Sequence, residues 1–240
     1  GELGKVGYYS AFFHGAENGS MGFEAFAHAT GYKDYFGRTE YNQDKRFNGD
    51  KDFDGMWAIW DEEFLQYAAN KFNTFQEPFA SAIFTATSHH PYIIPERYNG
   101  VFKDGPLPIH KCIAYTDMSV RRFFETASLM PWYENTLFVL CADHTNIIEI
   151  PEYGTEAGRY RVPIMFYRPD GSLKGKKEGT MQQIDIMPTI LGLLGYDQPY
   201  IAFGNDLTKT PDEETFAVNS NNGIFQLFRN GRLLQFDGEV

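Results

Sequence analysis

Short apolar runs of β type alternate with amphipathic helical stretches through most of this chain, and few architectures accept that order. Such alternation signals a largely parallel sheet covered by helices. Residues 8–13 read as a strand ending at His14, and residues 79–87 as a second ending at Ser88-His89-His90-Pro91. Residues 136–142 form a third apolar run, closed by Asp143-His144-Thr145, and residues 162–167 a fourth. Ser20 is placed to cap a helix carrying Met21, Phe23 and Phe26. Residues 61–72 read as a helix with Phe64, Leu65 and Ala68 on one face. The longest helical pattern runs through Ile109, Cys112, Ile113, Val120, Phe123, Phe124, Ala127 and Met130, and Pro131 stops it. Residues 184–194 form a last helix closed by Gly195.

After Gly204 the pattern changes to short strands at 215–219, 223–228 and 232–236. The last two are joined through Asn230-Gly231, a favoured hairpin turn. The expected fold is therefore α/β: a mainly parallel central sheet flanked by helices over residues 1–204, with a small antiparallel sheet in 205–240 packed on the same domain. The aromatic load, 22 Phe and 15 Tyr, argues for dense packing and against disorder. A net charge of −11 lacks the basic footprint that nucleic acid requires. No apolar run approaches the length of a membrane span, and no secretory signal opens the chain. Its start, Leu3-Gly-Lys-Val-Gly-Tyr8, runs straight into a strand and reads as a cut inside a longer protein. The two cysteines, Cys112 and Cys141, read as buried free thiols.

Three predicted strands end in histidines: His14, His89 with His90, and His144. Open α/β sheets present ligand-binding groups at the carboxyl ends of their strands. These ends are therefore expected to meet at one site. Carboxylate oxygen and imidazole nitrogen, as in Asp143-His144, together suit a borderline divalent ion such as Mn or Zn. Two donors do not complete a metal site.

Taken in order, Phe13-His14-Gly15, Ser88-His89-His90-Pro91-Tyr92, Ala142-Asp143-His144, Arg161-Val162-Pro163-Ile164 and Gln183-Ile184-Asp185-Ile186-Met187-Pro188-Thr189 resemble one known arrangement. It is the sulfatase-type domain of the lipoteichoic acid synthases, phosphoglycerol transferases of the alkaline phosphatase superfamily. The resemblance implies that Asp143 and His144 bind one divalent ion, Mn first, with Zn, Mg or Ca as alternatives. It places His89 near the nucleophile, where it assists the leaving alkoxide, and His14 beside the substrate phosphate. It implies a phospholipid headgroup donor and an envelope glycan or polyol acceptor. The parent protein would stand on the extracytoplasmic face of a bacterial cell membrane, anchored only through an N-terminal region absent here.

The family's threonine nucleophile and glutamate ligand lie upstream of the Phe-His-Gly strand, and the thirteen residues before His14 match neither. The chain is thus expected to carry a partial site and to be inactive alone, its own domain completed by the missing N-terminal part. Ala16–Gly22 also lacks the aromatic and arginine that follow the family's His-Gly, which leaves phosphoethanolamine transfer open. Hydrolysis of a sulfate or phosphate ester is an alternative function, and a non-catalytic module binding envelope glycan or lipid headgroup is another. Asp50, Asp52 and Asp54 imitate the opening of a calcium loop, but Asp61 stands at the twelfth position, where a bidentate Glu belongs, so a plain loop is expected. His28, His90 and His110 read as structural or surface residues. Asp185 reads as a capping residue, Glu149, Glu152 and Glu156 as a rim loop, and Lys174, Lys176 and Lys177 as a solvated turn.

Overall fold

The computed structural model describes residues 1–239, which divide into two compact units, Gly1–Thr136 and the residues from Leu137 onward. The first unit contains α1 (Glu2–Lys5), β1 (Tyr9–His14), α2 (Phe23–Ala29), β2 (Asp34–Phe36), α3 (Arg38–Gln43), α4 (Asp61–Phe72), β3 (Phe79–Phe84) and α5 (Ile109–Ala127). Its sheet has the order β2-β1-β3, and both pairings are parallel. The expected α/β frame is therefore present, with β1 in the middle. Phe13, in that central strand, is fully buried. Its ring meets Phe36, Phe72 and Tyr67 at centroid distances of 4.7, 5.2 and 6.1 Å.

α4 opens with Asp61, Glu62 and Glu63, acids that suit the positive end of the helix dipole. It turns Phe64, Leu65, Ala68 and Phe72 inward. α5 buries Ile109, Cys112, Tyr115, Met118, Ser119, Phe123 and Ala127, at helical spacing. Ile113, expected on that face, is 50% exposed, and the helix stops at Ala127, one turn before Pro131.

Two boundaries differ from the sequence reading for local reasons. Ser20 does not cap a helix. Gly19 and Gly22 both take positive φ, so Ser20–Gly22 is a separate 3-10 turn and α2 begins at Phe23. Of the three apolar residues expected on that helix, Met21 and Phe26 are exposed and Phe23 packs. The second strand ends at Phe84 rather than at Thr87, because the next backbone N–H groups bond to the Asp61 carboxylate instead of a neighbouring strand.

The second unit contains β4 (Phe138–Cys141), β5 (Ile164–Tyr167), α6 (Ile186–Leu193), β6 (Ala217–Asn221), β7 (Ile224–Arg229) and β8 (Arg232–Phe236). β4 and β5 pair antiparallel. β6-β7-β8 form the expected antiparallel sheet near the C-terminus. Asn230 and Gly231 have φ of 50° and 69°, as a tight hairpin turn of this type demands. Gly195 (φ 69°) closes α6 two residues past Leu193, where Tyr196 N–H reaches back to Leu191 O at 2.9 Å. Cys112 is buried, but Cys141, at the end of β4, is exposed, contrary to expectation. Among the described residues no helix is long and apolar enough to cross a membrane.

Candidate functional site

In the first unit the parallel pairing of β1 with β3 sets His14 opposite Phe84. His14 is fully buried, ringed by Phe23, Phe84 and Trp57 at 4.4, 5.1 and 5.3 Å. Its Nδ1–H donates to Phe84 O at 3.3 Å, which leaves a lone pair on Nε2. Nε2 is buried and has no protein partner. Burial holds this imidazole below the ordinary histidine range, outweighing the carbonyl that favours its charged form. At Nε2 the neutral ring can accept a hydrogen bond and cannot donate one.

His89 lies in the turn beyond β3, followed by a cis His90–Pro91 bond. Its Nδ1–H donates to His90 O at 2.9 Å, which leaves Nε2 outside that bond. The ring rests 4.8 Å from Trp57. One indole therefore touches both histidines singled out in this unit. Trp57 carried no signal in the sequence beyond its size. Its backbone is fixed by Asp54, whose Oδ1 accepts the N–H groups of Met56, Trp57 and Ala58 at 2.7, 2.7 and 3.2 Å.

In the second unit Asp143 and His144 follow directly after β4, with side chains 56% and 68% exposed. Asp143 Oδ1 accepts the His144 backbone N–H at 2.9 Å, and His144 Nδ1–H donates to Thr145 O at 2.6 Å. The two atoms left over, Asp143 Oδ2 and His144 Nε2, lie 3.3 Å apart. Both can offer a lone pair to a cation placed between them. A carbonyl on the far ring nitrogen is also what orients a metal-binding histidine. The pair therefore fits two ligands of a divalent ion. Among the described residues no group of three His, Cys, Asp or Glu side chains is placed to hold a metal.

Gln183 holds this turn. Its side-chain amide donates to Ala142 O at 2.9 Å and to Asp143 O at 2.7 Å. Gln183 opens a 3-10 turn that Asp185 locks: Oδ2 accepts Gln182 N–H at 2.8 Å and Oδ1 accepts Asn205 N–H at 2.7 Å. Asp185 is 1% exposed and a capping residue, as its sequence context predicts.

The imitation calcium loop dissolves into three separate roles. Asp50 pairs with Arg38 and Asn42, Asp52 accepts the Tyr41 hydroxyl at 2.5 Å, and Asp54 binds the backbone before α4. Asn18, in the Ala16–Gly22 stretch, is committed to Glu40 and to the Thr39 N–H at the start of α3.

The sequence model of the family described as "Sulfatase" matches residues 3–196. Lipoteichoic acid synthase 1 of Bacillus subtilis (strain 168) is 28% identical over 250 residues, covering 95% of this chain and 36% of its own length. A lipoteichoic acid synthase of Staphylococcus aureus (strain USA300) is 25% identical, covering 83% of this chain and 34% of its own. The chain spans little more than a third of these relatives. Among solved structures, a lipoteichoic acid synthase of Listeria monocytogenes superposes with a TM-score of 0.78 at 22% identity, over 95% of this chain and 61% of that one. A protein of the alkaline phosphatase superfamily from Vibrio parahaemolyticus superposes with a TM-score of 0.77 at 22% identity, over 97% and 58%.

Proposed function

Because this chain belongs to the Sulfatase family, we propose that it is part of the catalytic domain of a metal-dependent transferase that moves phosphoglycerol, or a related phosphoryl headgroup, from a phospholipid to a cell-envelope acceptor. The observation that carries the reading is the 3.3 Å approach of Asp143 Oδ2 and His144 Nε2, with the other atoms of each group already committed. It is supported by the similarity to lipoteichoic acid synthases over most of the chain. Manganese suits the mixed oxygen and nitrogen donors, with Zn, Mg or Ca as the alternatives.

Asp143 and His144 would hold a divalent ion, which would neutralise charge on the transferring phosphoryl group and activate the nucleophile. Gln183 fixes the turn they stand on. His89 moves protons at Nε2: as imidazolium it donates to the departing alkoxide, and as imidazole it takes the proton of the incoming hydroxyl. His14 is assigned, by the family resemblance, to the neighbourhood of the substrate phosphate, and in this chain its Nε2 is buried without a protein partner. The attacking hydroxyl, which would form a covalent intermediate before the acceptor takes the group, and the further metal ligand are assigned by the family resemblance to the upstream part of the parent. The isolated chain is then inactive, and the parent works on the extracytoplasmic face of the cell membrane.

The test is made on the intact parent with vesicles containing a lipid labelled in its phosphoglycerol headgroup, with and without Mn2+. Transfer to an added polyol, lost with chelator and in Asp143→Ala or His89→Ala, is the expected result. Release of free phosphoglycerol to water, whether or not an acceptor is added, would make the protein a phosphodiesterase. Headgroup binding without turnover, unchanged by Asp143→Ala, would make it a binding module.

A further inference from the structure

The segment carrying His89 leaves the sheet at Phe84 and reaches the histidine without a strand partner. One carboxylate takes its place. Asp61, first residue of α4 and 2% exposed, accepts the Ala86 N–H at 2.8 Å and the Thr87 N–H at 3.1 Å on Oδ1. Its Oδ2 accepts the Thr116 hydroxyl of α5 at 2.8 Å. Thr87 Oγ1 in turn accepts the Asp61 N–H at 3.2 Å, and the hydroxyls of Ser88 and Thr116 lie 2.9 Å apart. The start of α4, the interior of α5 and the turn before His89 are thus joined at a single side chain.

Burying a carboxylate is a poor way to gain stability, since apolar groups of the same volume do as well or better. What this carboxylate gives is position. Two backbone donors two and three residues before His89 are fixed to the start of α4. Trp57, the other side of the His89 contact, is anchored independently by Asp54. We propose that Asp61 is a positioning residue for His89: it fixes the Ala86–Ser88 turn so that the imidazole rests on the Trp57 indole with Nε2 free. The functional consequence depends on the role proposed above for His89; the positioning itself does not.

The test is an NMR measurement on this chain. A ring 4.8 Å from an indole carries a ring-current displacement of its proton shifts, and Trp57→Leu identifies that displacement by abolishing it. Asp61→Asn keeps the volume but turns an amide N–H2 toward either the backbone donors or Thr116. In this variant the His89 displacement is expected to fall toward the Trp57→Leu value. The His14 shifts, set by β1 and Phe84, stay in place. Thr116→Val, which leaves Asp61 intact and removes one donor, is expected to give a smaller movement in the same direction, and it serves if Asp61→Asn does not fold. A His89 displacement held at its wild-type value in whichever of these variants fold overturns the proposal. Destabilisation alone does not move a native-state shift. In the intact parent, Asp61→Asn lowers kcat with little change in KM. Absence of transfer in the wild-type parent would refute the function proposed above and leave the NMR result to decide positioning.

Discussion

Asp185→Ala separates the structural acid of the second unit from the metal pair. The wild-type carboxylate accepts the backbone N–H groups of Gln182 and Asn205, at 2.8 and 2.7 Å, and it is 1% exposed. Removing it strands two donors in a place where water enters poorly. The segment at Gly204 passes so close to this turn that an added Cβ would lie 2.2 Å from Ile184 O. Each stranded donor costs about 1–3 kcal/mol, and because Gln182 and Asn205 are themselves only partly buried the lower half applies, for a total of about 2–4 kcal/mol. Asp185→Asn keeps one acceptor and is expected to cost about 1–2 kcal/mol. Fluorescence would not report this, since Trp57, Trp60 and Trp132 all lie in the first unit. Hydrogen exchange of the α6 amides reads it directly. Exchange protection in Asp185→Ala within about 0.5 kcal/mol of wild type would refute the reasoning.

Two further outcomes follow from the first unit. His14 binds a proton less readily when folded than when unfolded, so between its depressed folded value and the ordinary value of about 6.5 the unfolded chain holds more protons. This contribution is whole above pH of about 6.5 and is lost as pH falls toward the folded value; His14→Phe is expected to flatten that loss in urea midpoints measured across the range. A slope unchanged by the substitution would assign the acid sensitivity elsewhere. Phe13→Ala empties the centre of the aromatic cluster around β1 and is expected to cost about 4–5 kcal/mol, the upper end for such truncations, because the site is walled by rings that collapse poorly. A loss below about 2 kcal/mol by urea denaturation would show that the cluster repacks.

The parts of the fold that the sequence made legible are those written in local periodicity. β1, α4, α5 and the Asn230-Gly231 hairpin follow from spacing and turn chemistry alone. The antiparallel pairing of β4 with β5 does not, because an apolar strand looks the same whichever way its neighbour runs. The overrun of β3 has the same origin. Thr85-Ala86-Thr87 has strand composition, and only Asp61, some 25 residues earlier in the chain, takes its N–H groups away from a sheet. The place of Asp143 and His144 just beyond the end of β4 was legible because an apolar run stops before them. Gln183 was not, since its two carbonyl partners lie 41 and 40 residues away. The histidine at the end of β1 could be read, but its enclosure by Phe23, Trp57 and Phe84 draws on three separate segments.

The central claim is that Asp143 and His144 form a cation-binding pair, and Mn2+ tests it with no assumption about substrate. Added well below one equivalent, the paramagnetic ion broadens NMR signals near the place it visits. The account predicts first loss of the His144 ring signals and of the backbone amides from Asp143 to Asn146, with both effects gone in Asp143→Asn. Broadening of His144 no greater than that of His28 or His110, or centred instead on Glu149, Glu152 and Glu156, would contradict it.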